Sequence, residues 1–125
     1  MSLRTPLAIA QGLGSAKSGV LHWWMQRLSA VALAPLSLPL IMFFNLCFNA
    51  PFQETIIWLQ HPFNSACLAF WIILAFYHAA LGLQVVVEDY VAHEGVKIIS
   101  IGLIKLSFAL LAITALLAVI RIIAI

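Results

Sequence analysis

Apolar residues fill this chain in three long runs, from about Val20 to Phe48, about Phe63 to Glu88 and about Val96 to Ala124, each long enough for the roughly 20 residues that a bilayer crossing needs. Polar residues collect between the runs and at the amino end. The pattern predicts an all-α integral membrane protein with three transmembrane helices and no room for a further domain. Pro35 and Pro39 fall inside the first run. Inside a membrane, neighbouring groups re-satisfy the backbone that proline frees, so these residues predict a kinked helix rather than a terminated one.

The remaining polar stretches divide the chain into an amino-terminal arm, residues 1–19, and a membrane domain, residues 20–125. The apolar patch Leu7–Ala10 is shorter than the 7–15 residues of a secretory h-region, so the arm is expected to stay on the mature chain. The stretch Gly12–Gly19 faintly resembles a phosphate loop, but Lys17 follows Ala16 rather than a glycine and no strand precedes it; it reads as an approach to the first helix.

Composition strengthens the membrane assignment. Of the 125 residues, 65% are hydrophobic and 8% charged, with a mean hydropathy of +1.13, against about 25% charged in a soluble domain. A net charge of +2 is too small to indicate nucleic-acid binding; the bilayer is the expected environment. Cys47 and Cys67 stand apart from any C-x-x-C pair or zinc spacing and read as small buried hydrophobes.

Charge also orients the chain. Arg4, Lys17 and Arg27 lie at the amino end and Lys97 beside the connection 89–95, whereas the connection 49–62 holds neither Lys nor Arg. Cytoplasmic loops carry the excess of positive charge, so the amino terminus and the second connection are expected in the cytoplasm, or in the matrix of a mitochondrion. Arg121 lies on the other side and Lys105 within the third run; both can snorkel to an interface. Trp23, Trp24, Trp58 and Tyr90 fall where interfacial aromatic belts sit.

His78 stands in the middle of the second run, where ionisable groups are expensive and rarely idle. The 11-residue step to Asp89 turns roughly 1100°, within about 20° of the same helix face, and rises roughly 16 Å. One stripe therefore carries an imidazole at mid-membrane and a carboxylate followed by the Tyr90 phenol at the surface. His78 has two readings: a polar contact between helices, or an axial ligand to a haem iron. Ala75, Ala79 and Gly82 keep its face shallow, and Trp71 stands seven residues earlier on that face. His22, His61 and His93 all lie near the ends of the runs, so a second axial ligand would have to come from another chain. Arg27 is either a snorkelling anchor or a partner for a buried carboxylate such as a haem propionate. His22 lies about 140° from Arg27 around the helix and is either interfacial decoration or a second propionate donor. Asp89 and Tyr90 either end a helix or face a lipid-soluble carbonyl, the phenol donating to a quinone oxygen and the carboxylate orienting it or relaying protons. A purely structural subunit and a proton-conducting transporter subunit are the rival readings.

His78, ten intervening residues and Asp89-Tyr90 resemble the H-x10-D-Y signature of the small hydrophobic membrane-anchor subunit of succinate dehydrogenase, the cytochrome b type of respiratory complex II. Ser15-Ala-Lys-Ser-Gly19 with His22-Trp-Trp-Met-Gln-Arg27-Leu-Ser-Ala30 is similar to alphaproteobacterial members. The resemblance covers nearly the whole chain. It implies that His78 is one axial ligand of haem b, the other coming from a larger cytochrome b anchor subunit, and that Arg27, with His22, lies on the propionate side. It implies that Tyr90 hydrogen-bonds ubiquinone and that Asp89 supports that site. It further implies a heteromeric helix bundle in a bacterial inner membrane, or the mitochondrial one, tethering an iron–sulfur subunit and a flavoprotein subunit. A fumarate-reductase anchor is the near alternative.

Overall fold

The computed structural model describes residues 5–11 and 19–124, and the described chain is helical almost throughout. In chain order the helices are α1 (Pro6–Gln11), α2 (Gly19–Asn49), α3 (Phe52–Gln60), α4 (Pro62–Tyr90) and α5 (Glu94–Ile123). The three long ones, α2, α4 and α5, are long and apolar enough to cross a membrane. They have 31, 29 and 30 residues, so at 1.5 Å per residue each is about 43–47 Å long. That exceeds the roughly 30 Å hydrocarbon layer and carries the helix ends into the headgroup regions. Their limits agree with the apolar runs to within a turn. The helix in the amino-terminal arm and the one in the first connection are not signalled by those runs. The loop-like Gly12–Ser18 stretch lies outside the described residues.

α2 runs unbroken through Pro35 and Pro39, as expected where the membrane and neighbouring helices support the freed backbone groups. α4 starts with Pro62 at a position whose N–H has no helical partner anyway. α5 is capped by His93, whose Nδ1 accepts from the Val96 N–H at 3.4 Å.

α4 is the middle helix: it packs against both α2 and α5, which are not packed on each other. α3 lies across one end of this row, touching α2, α4 and α5. Its buried side chains are Thr55, Ile56 and Leu59, and Leu59 is fully buried. Leu59, Leu68 and Ile72 make the core cluster, with Phe43, Trp58, Trp71 and Val119 around it. Asn64 Nδ2 donates to the Trp58 carbonyl at 3.0 Å and ties the last turn of α3 to the start of α4. Most other large apolar side chains of α2 and α5 are exposed. Such surface suits lipid and further helices, not water.

Both cysteines are free, but neither is buried as expected: Cys47 is exposed and Cys67 half-buried. The apolar runs are not wrapped by other parts of this chain, so a small apolar side chain on them need not be interior.

Candidate functional site

Four polar residues of α2 form one line. His22, Gln26, Ser29 and Ser37 follow at steps of four, three and eight, which repeat on one helix face. The facing line on α4 is Trp71, His78 and Gly82. Three contacts join the lines. Ser29 Oγ lies 2.9 Å from His78 Nδ1. Gln26 Nε2 lies 3.4 Å from His78 Nε2, longer than a good N–H···N bond. Trp71 Nε1 donates to Ser37 Oγ at 3.2 Å. Ser37 in turn donates to the Leu33 carbonyl at 2.8 Å, and Ser29 contacts the Gln26 carbonyl at 3.0 Å.

His78 thus sits at the α2–α4 seam, half-buried, beside a Ser29 that is 3% exposed. The polar interhelical contact that the sequence allows is present. The shallow face expected beside His78 is taken up differently from the expectation, because α2 packs into it. A Cβ at Gly82 would meet Gln26 Nε2 at 3.4 Å, and Trp71 is engaged with Ser37 rather than walling a cavity. Small residues on α4 therefore serve close approach of α2.

Three buried polar atoms at this end of the bundle have no hydrogen-bond partner among the described residues: Gln26 Oε1, His22 Nε2 and Gln84 Oε1. Buried polar groups are nearly always paired, so each calls for a partner beyond the described residues. His22 and Gln84 also line a cavity of about 510 Å³ between α4 and α5, walled by Tyr77, Phe76, Phe108 and Lys105.

Arg27 is not on the His22 line. It is exposed, with its guanidinium 5.3 Å from the centre of the Trp23 ring. Asp89 and Tyr90 end α4. Both are exposed, Tyr90 at 85%, and among the described residues neither makes a hydrogen bond or ion pair. The preceding Glu88 accepts from Gln84 Nε2 at 2.7 Å. Among the described residues no hydrogen bond or ion pair joins His22, Arg27, His78, Asp89 and Tyr90: His78 is at the α2–α4 seam, His22 at the cavity, and Arg27, Asp89 and Tyr90 on the outside. Among the described residues no group of three or more His, Cys, Asp or Glu side chains is placed to hold a metal ion.

Gln26, Ser29 and Gln84 were not singled out from the sequence. The signal for the first two is the four-three spacing that puts them in line with His22. It is visible only when the polar residues of an apolar helix are read as a stripe.

The family model for the succinate dehydrogenase/fumarate reductase transmembrane subunit matches residues 1–120. The succinate dehydrogenase hydrophobic membrane anchor subunit of Rickettsia bellii is 40% identical over 113 residues, 90% of this chain and 89% of that protein. That of Rickettsia conorii is 36% identical over 107 residues, 85% and 84% of the two chains. The succinate dehydrogenase membrane anchor subunit of Reclinomonas americana is 35% identical over 92 residues, 71% and 77%. No solved structure matches the chain.

Proposed function

The chain belongs to the succinate dehydrogenase/fumarate reductase transmembrane subunit family, and from that premise we propose that it is the haem- and quinone-bearing anchor of a succinate:quinone oxidoreductase. As a multi-pass membrane anchor it has no catalytic centre of its own. We assign it as partners a larger cytochrome b anchor subunit, an iron–sulfur subunit and a flavoprotein subunit. It would lie in a bacterial inner membrane with the amino terminus in the cytoplasm. The similar proteins are named for succinate dehydrogenase, which favours quinone reduction over fumarate reduction.

The observation that carries the reading is the state of His78. One ring nitrogen is held by Ser29 at 2.9 Å and the other has only the 3.4 Å approach of Gln26. A histidine that ligates iron keeps one ring nitrogen anchored and turns the other to the metal. His78 would hold the iron of a haem b together with a residue of the larger anchor, and Gln26, which lies 3.4 Å from His78 Nε2, would have to move aside. When bound, the haem supplies a one-electron store between the soluble centres and the quinone. Arg27, exposed beside the Trp23 ring, can pair with a propionate through charge-assisted bonds, and His22, whose buried Nε2 has no hydrogen-bond partner among the described residues, is assigned to the same side.

The quinone end rests on Asp89 and Tyr90. An exposed phenol at the end of α4, with no hydrogen bond among the described residues, can donate to a ubiquinone carbonyl. The adjacent carboxylate can orient the hydroxyl or pass protons from water.

The test is Tyr90→Phe in the whole complex. Losing one neutral hydrogen bond worth about 1 kcal/mol should lower succinate-to-ubiquinone turnover several-fold, up to about tenfold. Succinate oxidation by an artificial acceptor that bypasses the quinone should stay at the wild-type rate. Equal loss of both activities would count against a quinone role for Tyr90.

A further inference from the structure

The cavity between α4 and α5, about 510 Å³, is ordered along the helix axes. The Phe76 and Phe108 rings, 5.9 Å apart, set the register of these two antiparallel helices. Gln84 lies eight residues from Phe76 toward the end of α4, and Lys105 three residues from Phe108 toward the start of α5. Their backbones therefore stand roughly 12 Å and 5 Å above the ring pair. Ile73 and Ala112 lie below it, three and four residues the other way. The lining is thus polar at the end near the α4–α5 connection and apolar at the other, where Ala109 and Ala112 leave space. Lys105 brings the charge. It is eleven residues past Glu94, the first residue of α5, so its backbone lies roughly 16 Å along the axis. α5 overshoots the hydrocarbon layer by about 7 Å at each end, which puts that backbone about 9 Å inside it. A lysine at this depth lifts its ammonium toward the headgroups, and a partner of opposite charge offsets its cost there. Among the described residues it has none: the ion pair present is Lys97 with Glu94.

We propose that this cavity holds one acyl chain of an anionic glycerophospholipid whose phosphate pairs with Lys105. The order of groups matches such a lipid from head to tail. The Lys105 ammonium meets the phosphate, the Tyr77 hydroxyl, one residue nearer the mouth than Phe76, can donate to an ester carbonyl, and the chain runs down past Phe76 and Phe108 to Ile73 and Ala112. The volume falls in the range of sites for single small molecules, about 300–1,000 Å³, so one chain enters and the second stays in the bilayer. Other occupants meet the lining less well. A quinone brings no charge to Lys105, and a free phosphate brings nothing apolar to the far end. The site stands whether or not the haem and quinone assignments hold, and His22, on its rim, keeps the role given to it above.

The experiment uses the whole purified complex and phosphatidylglycerol with a photoactivatable group midway along one acyl chain. The matching phosphatidylcholine, which has no net charge, is the control. Labelled peptides are mapped after irradiation. Phosphatidylglycerol should label α4 over 73–80 and α5 over 108–112, and phosphatidylcholine should label them several-fold less. Lys105→Gln should lower phosphatidylglycerol labelling about fivefold, the equivalent of about 1 kcal/mol for one basic residue meeting an anionic lipid. Lys105→Arg keeps the charge and should label as wild type does. Ala112→Phe fills the apolar end and should lower labelling by both lipids. Should Lys105→Gln fail to assemble, the comparison of the two headgroups on wild type decides alone. No label in these segments, equal labelling by the two lipids, or undiminished labelling in Lys105→Gln would overturn the proposal. Label displaced by excess short-chain ubiquinone would overturn it as well and give the cavity to a quinone.

Discussion

The α2–α4 seam is built from single side chains that a membrane interior makes consequential. Away from water, an imidazole, an indole N–H and two hydroxyls must find partners within the bundle. Here they do so in two sets, Ser29 with His78 and Ser37 with Trp71. Trp71→Phe removes the Trp71–Ser37 bond and keeps most of the ring. Interhelical bonds of this kind average about 0.6 kcal/mol in membranes, so its thermal unfolding midpoint should fall slightly, with the haem signal unchanged. At Gly82 the geometry decides by size. A Cβ there meets Gln26 at 3.4 Å, an ordinary contact, so Gly82→Ala should assemble normally and gain up to about 1 kcal/mol of helix stability. Gly82→Leu has to displace Gln26 and α2, and should cost about 1–3 kcal/mol, read as reduced assembly and thermal stability. His78 could be singled out because a lone imidazole stands out in an apolar run. Ser29 could not, because serine is common in membrane helices and only its partner gives it meaning.

At the scale of elements, the three spans were legible because a bilayer imposes a length, and the apolar runs meet it without ambiguity. α3 was not. Its nine residues sit between Pro51 and Pro62, with Gln53 and Glu54 in its first turns, and this reads as a polar connection. It becomes a helix because Ile56 and Leu59, three apart, find an apolar floor on α2, α4 and α5. Tertiary packing supplies what a helix this short lacks by itself. Leu59 is fully buried, so Leu59→Ala should destabilise the chain by about 2–5 kcal/mol, measured by thermal inactivation of the assembled complex. The place of two candidate residues in the fold was legible for a similar reason. Asp89 and Tyr90 end α4 where the apolar run stops. The cavity by His22 and Gln84 depends on how α5 leans on α4, which no local pattern encodes.

As a whole molecule the chain is a row of helices with α4 in the middle and little of its apolar surface enclosed. On the proposed haem reading it supplies only part of a site. His78 is the one histidine at mid-span; His61 and His93 flank α4, and His22 lies in the first turn of α2. Expressed without its partners and purified in detergent, the chain should therefore carry no six-coordinate b-type haem, and co-expression with the larger anchor subunit should supply it. Gln26 Oε1, His22 Nε2 and Gln84 Oε1 have no hydrogen-bond partner among the described residues, which agrees with that proposal. The most direct measurement is a reduced-minus-oxidised absorption spectrum of the purified complex, wild type beside His78→Ala. The account predicts a b-type signal in wild type that is lost or strongly altered in the variant. A His78→Ala spectrum identical to wild type would contradict it by removing this chain from haem ligation.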